Sequence, residues 1–242
     1  MNNDFVILIP ARIGSTRLPN KPLTDLSGKS LIQRVFEQAT KSTDNSYIAT
    51  DSELIMSHAE SFTDNIVMTS QDHISGTDRV AEAASILSIK DDQLIINLQG
   101  DEPFMPINLI DLLADDFKKN KCDVITACHP ISSDLELKNP NCVKVNKNSL
   151  NFADDFIREI DHKNIEKLLR HIGIYGYSHR TLKELVALKP SHRELKHKLE
   201  QLRFLDNNYS IFVSDYDESI PPGIDTQEDV DSALLYIKKN DC

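Results

Sequence analysis

Apolar and polar positions alternate in blocks along the first 130 residues. Residues 5–9 are apolar at every position, which predicts a strand buried on both faces, as in a parallel sheet. Shorter apolar runs predict further strands at 47–50, 66–69, 94–98 and 124–127. Between them, apolar residues recur at helical spacing and predict helices at 30–41, 52–61, 77–87 and 107–117. This alternation predicts an α/β fold with a doubly wound, mostly parallel sheet.

The order of elements becomes less regular after residue 130. Short strands are predicted at 143–145, 172–177 and 211–213, and helices at 178–188, 192–207 and 226–239. No repeat or linker-like stretch interrupts the chain. We therefore expect a single domain over residues 1–242, with a small inserted lobe at about 130–210.

Composition narrows the class of protein. The 242 residues include 27 Lys and Arg against 38 Asp and Glu, a net charge of −11, which argues against a dedicated nucleic-acid-binding protein. No apolar run approaches the ~20 residues that span a bilayer, and the start of the chain lacks the basic region of a signal peptide. These features predict a cytoplasmic protein with neither a membrane nor a nucleic-acid partner. The four cysteines lack C-x-x-C spacing, so we expect neither a structural disulfide nor a zinc site.

The first candidate for chemistry is the segment 10–22, directly after the first strand. Arg12, Arg17 and Lys21 lie within ten residues of an otherwise acidic chain, and residues 14–16 (Gly14, Ser15, Thr16) offer backbone and hydroxyl donors. This combination suits a polyphosphate. The segment matches neither the dinucleotide fingerprint nor the Walker motif. A solvated basic loop is the alternative interpretation.

Two later segments carry candidate carboxylates. Asp101 follows the apolar run at 94–98 and would lie at the edge of a parallel sheet, where ligands bind and where its oxygens could hold Mg²⁺. The alternative is an ordinary strand-to-helix turn. Asp225 is a second candidate Mg²⁺ ligand, although with Glu228 three residues later it also fits a helix cap. Taken alone, the capping interpretation is favoured for Asp225.

The last candidate is the segment 171–177, in which polar and apolar residues alternate around two glycines. A single histidine such as His171 is more often structural than catalytic, and the residues alone do not decide between the two.

Seven segments together resemble one family. They include Ser75-Gly-Thr-Asp-Arg79 and Gln99-Gly-Asp-Glu-Pro103, and all seven occur in the family's order at 9–22, 49–51, 75–79, 97–103, 170–177, 199–203 and 223–229. Each is weak alone, but the ordered set is specific and covers most of the chain. On these motifs the chain resembles the CMP-Kdo synthetases, also called 3-deoxy-manno-octulosonate cytidylyltransferases.

The resemblance implies a nucleotide-diphospho-sugar transferase-like fold and a Mg²⁺-dependent reaction. The anomeric hydroxyl of 3-deoxy-D-manno-octulosonate (Kdo) would attack the α-phosphate of CTP, giving CMP-Kdo for lipopolysaccharide biosynthesis and pyrophosphate. The family tends to dimerise, which implies a homodimer with its contact in the region 142–177. The implied catalytic residues are Arg12, Lys21, Asp101 and Asp225, with the two aspartates as metal ligands. The implied nucleotide contacts are Arg12, Arg17, Lys21, Ser75, Gly76, Thr77, Arg79 and Gln99. The implied sugar contacts are Gln99, His171, Tyr175, Glu200 and Gln201.

One stretch departs from the family pattern. The family carries Tyr-Phe-Ser-Arg, then Pro and a further Arg, where this chain has a shorter segment, 150–158, with aspartates at 154 and 155. Arg158 or Arg170 could take the place of the missing arginines. Alternatively, the acceptor is a related sugar acid with an amino group, such as 8-amino-Kdo. A weakened enzyme, a non-catalytic nucleotide-binding protein and, least favoured, an NAD-dependent dehydrogenase are the remaining alternatives.

Overall fold

The computed structural model describes residues 5–14, 17–160, 168–218 and 220–240. Its strands are β1 (Phe5–Ala11), β2 (Ser46–Thr50), β3 (Ile66–Met68), β4 (Leu94–Asn97), β5 (Val124–His129), β6 (Lys144–Lys147), β7 (Ala153–Ile157), β8 (Leu169–Ser178) and β9 (Ile211–Asp215). Its α-helices are α1 (Leu31–Thr40), α2 (Glu53–Ala59), α3 (Gly76–Ile86), α4 (Ile107–Lys119), α5 (Asp134–Lys138), α6 (His179–Ala187), α7 (His192–His197), α8 (Gln201–Asp206) and α9 (Gln227–Asn240). A 3-10 helix covers Lys21–Leu23.

The chain divides into two units. The first contains Met1–Asp111 and Ile220–Cys242, and the second contains Leu112–Ser219. The second unit is therefore inserted into the sequence of the first.

The first unit is built on four parallel strands in the order β3-β2-β1-β4. All seven residues of β1 are buried, because the strand has a neighbour on each side and its apolar side chains pack on both faces. Helix α1 begins after Ser30, whose side chain accepts a hydrogen bond from the backbone N–H of Gln33. The apolar residues of α1 recur at helical spacing and are buried: Leu31, Ile32, Val35, Phe36 and Ala39. The predicted α/β fold with a mostly parallel sheet is confirmed.

The second unit has mixed strand directions. β5 pairs parallel to β9 and antiparallel to β8, while β6 pairs antiparallel to both β7 and β8. No helix among the described ranges is long and apolar enough to cross a membrane.

The second unit contains one helix that the pattern did not predict, α5, and differs from the prediction in two further details. The helix expected at 192–207 is two helices, because Lys198 takes a left-handed conformation (φ 53°) and ends α7. β7 lies in a stretch too polar to predict as a strand. It forms because Asn148 accepts hydrogen bonds from the backbone N–H groups of Leu150 and Phe152, and this turn brings β7 against β6.

Candidate active site

Three distant chain segments of the first unit meet around one ammonium group. The Nζ atom of Lys21 lies 2.6 Å from Oδ2 of Asp101 and 2.9 Å from Oδ1 of Asp225. The guanidinium of Arg17 lies 3.0 Å from the other oxygen of Asp225. The structure therefore brings together four residues that the sequence analysis drew from three separate segments: Arg17, Lys21, Asp101 and Asp225.

Lys21 and Asp101 are each positioned by the conformation of the backbone next to them. Lys21 begins the 3-10 helix, behind Asn20 in a left-handed conformation (φ 55°). Asp101 follows β4 through Gly100, where the backbone passes very close to β1. A Cβ atom at Gly100 would lie 2.7 Å from the carbonyl oxygen of Pro10, which is closer than real Cβ atoms approach. Glycine therefore lets the turn that carries Asp101 pack against the end of β1.

The capping role considered for Asp225 belongs to its neighbours. The backbone N–H groups of Asp225 and Thr226 donate to Oδ2 of Asp229 at 3.0 and 2.8 Å, and the Thr226 hydroxyl accepts from the N–H of Asp229 at 3.3 Å. The capping box is thus one residue later than the pair Asp225 and Glu228 suggested. The side chain of Asp225 instead points at Lys21 and Arg17.

The carboxylates of Asp101 and Asp225 fit a divalent cation. Both already bind one cation, the Lys21 ammonium, at hydrogen-bonding distance. Within the described ranges no group of three or more His, Cys, Asp or Glu is placed to hold a metal. Mg²⁺ does not require one, since it is usually held by one or two carboxylates together with substrate phosphates and water.

The Lys21 ammonium is held in its charged form. Burial lowers its pKa, but the attraction of Asp101 and the hydrogen bonds to Asp101 and Asp225 outweigh this, so that the pKa is raised above its usual 10.5. Lys21 is thus a permanent cation at neutral pH.

Arg12, the remaining cation of the basic segment, is open to solvent. Arg12 is exposed and forms no ion pair with any residue of the ranges that the structure describes. Ser15 and Thr16, expected to offer donors to phosphate, lie outside the described residues. Within the described residues, no carboxylate competes with a ligand for Arg12.

The start of α3 lies against Pro10 and Gln99. A Cβ atom at Gly76 would lie 3.3 Å from Cγ of Pro10 and 3.6 Å from Oε1 of Gln99. Ser75 caps the helix, accepting a hydrogen bond from the N–H of Asp78, while Thr77 is buried. Gly76 and Gln99 thus lie together, whereas the Ser75 side chain is committed to its own helix.

Arg79 is enclosed rather than facing a pocket. Its side chain is 3% exposed, and its guanidinium lies 2.6 Å from a carboxylate oxygen of Asp51. It also donates to the Thr69 hydroxyl at 2.6 Å and to the carbonyl oxygen of Ser70 at 3.3 Å. These bonds hold the ends of β2 and β3 to α3, so Arg79 supports the segment before Ser75.

A second clamp on that segment was not anticipated from the sequence. Glu82 of α3 accepts hydrogen bonds from the backbone N–H of Ser70 at 2.7 Å and from the His73 ring at 2.6 Å. These hydrogen bonds outweigh the opposing effect of burial and lower the pKa of Glu82. The nine-residue separation of His73 and Glu82 spans a loop and a helix, so no periodic pattern reveals the pair.

The residues expected to face the sugar lie in the second unit, apart from Gln99. His171 on β8 is 9% exposed, hydrogen-bonds Thr126 at 2.9 Å, and packs against the rings of Phe156 and Tyr175. Burial lowers the pKa of His171 to about 3, so the imidazole is neutral at physiological pH. Burial and then the nearby Glu200 carboxylate raise the pKa of Tyr175.

Glu200 and Gln201 lie at the start of α8. Glu200 is ion-paired with Arg203 at 2.9 Å, and Gln201 is buried.

The arginines considered as substitutes in the shortened segment are engaged within the chain. Arg158 donates to the backbone carbonyl oxygens of Pro140, His197 and Lys198 at 3.1–3.2 Å. Arg170 lies 2.7 Å from a carboxylate oxygen of Glu136.

One of the two aspartates of the same segment is also paired. Asp155 forms an ion pair with Arg193, which lies on α7 and also binds Asp206. This pairing engages Asp155 within the chain, whereas Asp154 is exposed.

Comparison with known proteins agrees with these observations. The cytidylyltransferase family model matches residues 6–214. A 3-deoxy-manno-octulosonate cytidylyltransferase of Francisella tularensis subsp. holarctica is 45% identical, over 93% of this chain and 95% of its own length. The enzyme of the same name from Haemophilus influenzae is 38% identical over 98% of this chain and 99% of its own.

Solved structures give the same result. The structure of a CMP:2-keto-3-deoxy-manno-octonic acid synthetase complexed with CTP has a TM-score of 0.89 and 34% identity, covering 97% of this chain and 98% of that one. A cytidylyltransferase from Leptospira borgpetersenii shares the fold at a TM-score of 0.60 and 19% identity.

The fold is that of the nucleotide-sugar transferases, and the protein belongs to the class of nucleotidyltransferases. More particularly, the chain belongs to the CMP-Kdo synthetase family of cytidylyltransferases, which confirms the resemblance seen in its motifs.

Proposed function

We propose that this chain transfers CMP from CTP to the anomeric hydroxyl of Kdo, producing CMP-Kdo and pyrophosphate for lipopolysaccharide biosynthesis. The observation that carries this proposal is the pair of carboxylates, Asp101 and Asp225, on one cation. Full-length relatives at 38–45% identity bear the name of this activity.

The reaction requires alignment and charge neutralisation more than covalent help from the protein. The hydroxyl oxygen forms a bond to the α-phosphorus, the bond from that phosphorus to the β-phosphate oxygen breaks, and the hydroxyl proton is lost. Negative charge then accumulates on the pyrophosphate. Lys21, Arg12 and Arg17 are the proposed counter-charges, since Lys21 is permanently cationic and both arginines are exposed beside it in the sequence.

Asp101 and Asp225 are the proposed ligands of Mg²⁺. When bound, the ion would neutralise charge on the α-phosphate and favour loss of the hydroxyl proton. The protein holds the two carboxylates in place before substrate arrives, through Gly100 on one side and the α9 cap on the other.

The proposed substrate contacts follow the two units. In the first, Gly76 and Gln99 would form the cytosine pocket with Ser75 and Thr77, while Arg79 shapes it from behind. In the second, a lobe at about 130–210 would present His171, Tyr175, Glu200 and Gln201 to the sugar. Because His171 is neutral, it could offer the sugar a hydrogen bond or a van der Waals contact, but no positive charge.

The direct test is pyrophosphate release by the purified chain with CTP, Mg²⁺ and a panel of sugar acids including Kdo and 8-amino-Kdo. We expect release with Kdo and CTP, and much slower release with ATP, GTP or UTP. Release with 8-amino-Kdo alone would move the acceptor to the amino sugar. Calorimetric CTP binding without turnover on any sugar would contradict the enzyme and support a non-catalytic nucleotide-binding protein.

We also propose a homodimer working in the cytoplasm, where nucleoside triphosphates are held. Leu150, which lies in the region 142–177 where the contact is expected, is 73% exposed and would be covered by a second copy. Light scattering after gel filtration would report twice the chain mass of 27.4 kDa if this is correct.

A further inference from the structure

The carboxylate of Asp229 makes more hydrogen bonds than a helix cap requires. Its Oδ2 atom accepts three hydrogen bonds, from the N–H of Asp225 at 3.0 Å, the N–H of Thr226 at 2.8 Å and the Thr226 hydroxyl at 2.9 Å. An ordinary capping box needs only the bond to the N-cap residue, here Thr226. The additional bond reaches Asp225, which carries the proposed metal carboxylate.

The backbone before Asp225 is fixed from the other direction. The N–H of Ile224 donates to the carbonyl oxygen of Asp101 at 2.9 Å, which ties together the two carboxylate-bearing segments. Gly223 packs so closely that a Cβ atom there would lie 2.8 Å from a carboxylate oxygen of Glu102. The segment therefore has one anchor before Asp225, at Asp101, and one after it, at Asp229.

We propose that Asp229 is a positioning residue that directs the Asp225 carboxylate toward the cation, beyond its service as a helix cap. The proposal rests on the proposed function in taking Asp225 as a metal ligand. Without Asp229, the peptide N–H of Asp225 loses its acceptor, and the side chain that follows it is no longer held beside Asp101. Such a loss weakens metal binding even though the ligands themselves are unchanged.

The test compares the Mn²⁺ affinity of three variants. Electron paramagnetic resonance measures this affinity in the presence of saturating CTP and without sugar. We expect Asp229→Ala to weaken Mn²⁺ binding about 10- to 100-fold, the range typical of a lost partner to a metal ligand. Asp229→Asn keeps an oxygen of the same shape without the charge, so it should recover most of that affinity. Ser191→Ala removes a comparable cap from α7 and should leave Mn²⁺ binding unchanged.

Three outcomes would overturn the proposal. If Asp229→Ala lowers the melting temperature as Ser191→Ala does but binds Mn²⁺ normally, Asp229 is only a cap. If Asp229→Asn binds Mn²⁺ as poorly as Asp229→Ala, the negative charge of Asp229 supports metal binding, and its hydrogen bond to the N–H of Asp225 does not. If wild-type protein with CTP binds no Mn²⁺, Asp225 is not a metal ligand and the role falls with it.

The failure of the proposed reaction would look different. In that case wild-type protein would release no pyrophosphate from CTP with any sugar, while Mn²⁺ binding would still depend on Asp229.

Discussion

The ammonium of Lys21 lies 2.6 Å from the carboxylate of Asp101, a residue 80 positions later in the chain. The same ammonium lies 2.9 Å from Asp225, so the lysine lies between the two proposed metal carboxylates. If these carboxylates hold Mg²⁺ as proposed, the metal and the lysine would compete for the same oxygens until the phosphates of CTP offered Lys21 another partner.

The Lys21→Met variant should separate these two roles. Turnover should fall at least about 100-fold, because a charge-stabilising donor to the phosphates is lost. In nucleotide-free protein, however, Mn²⁺ should bind more tightly than in wild type, because the competing cation is gone. Lys29→Met, which breaks the exposed Lys29–Glu37 pair, is the matched control and should change neither. Weaker Mn²⁺ binding in nucleotide-free Lys21→Met would contradict the competition.

The Asp101→Asn variant should lose catalysis and keep its fold. The amide preserves the shape but removes the charge that a divalent cation needs, so we expect kcat to fall by roughly 10²–10³-fold. Pyrophosphate release measures the loss, and circular dichroism checks that the secondary structure is retained. Near-normal release from this variant would remove Asp101 from the metal site.

Arg79 and Gln99 should behave differently although both are predicted nucleotide contacts. Arg79→Ala leaves Asp51 without its buried partner, which should cost about 3–5 kcal/mol of stability. Gln99→Ala should cost less than about 1 kcal/mol and instead raise the KM for CTP several-fold, since Gln99 lies beside Gly76. Urea unfolding and steady-state kinetics on both variants make the comparison. An unchanged KM for Gln99→Ala would exclude it from the base pocket.

Gly100 should tolerate no side chain. A Cβ atom there meets a backbone oxygen at 2.7 Å, so Gly100→Ala should destabilise the protein by about 1–3 kcal/mol. Gly173→Ala is the control, because nothing lies within 4 Å of the position that its Cβ would take. The midpoints of urea unfolding measure both. A stable Gly100→Ala protein would mean that the segment before Asp101 can shift.

His171 should make the protein sensitive to acid. Burial lowers its pKa from 6.5 to about 3. Below pH 6.5 the imidazole of His171 is therefore protonated in the unfolded chain but stays neutral in the folded chain. Stability is therefore lost as the pH falls, by about 2 kcal/mol between pH 6.5 and 5. His171→Gln should flatten that dependence in urea unfolding, whereas the exposed His192→Gln should not. Parallel curves for wild type and His171→Gln would show that other groups cause the acid sensitivity.

The fold could be predicted well wherever hydrophobic periodicity is strong. β1 is apolar throughout and buried throughout, so pattern and structure agree at every position. β7 could not be predicted, because its sequence is polar and the partner of its Asp155 is a distant arginine, Arg193, which no local pattern reveals.

The candidate site shows the same division. The family motifs brought Lys21, Asp101 and Asp225 into one hypothesis, and the structure places them in contact. The local sequence nevertheless favours Asp225 as the cap of α9. The pattern Asp-x-x-Glu at 225–228 and the pattern Thr-x-x-Asp at 226–229 are offset by a single residue. Only the three-dimensional structure shows which hydroxyl and which carboxylate face the helix.

The interrupted sequence of the first unit has a consequence for synthesis on the ribosome. Lys21 and Asp225 are 204 residues apart, which at roughly 5–20 residues per second corresponds to about 10–40 s of translation. Throughout that time the nascent chain carries the basic segment, and from residue 101 onward also Asp101, without the second carboxylate. Completion of the proposed metal site is thereby postponed until the inserted unit has been synthesised. A chain interrupted within that unit would carry the proposed nucleotide contacts of the first unit but not the proposed pair of metal carboxylates.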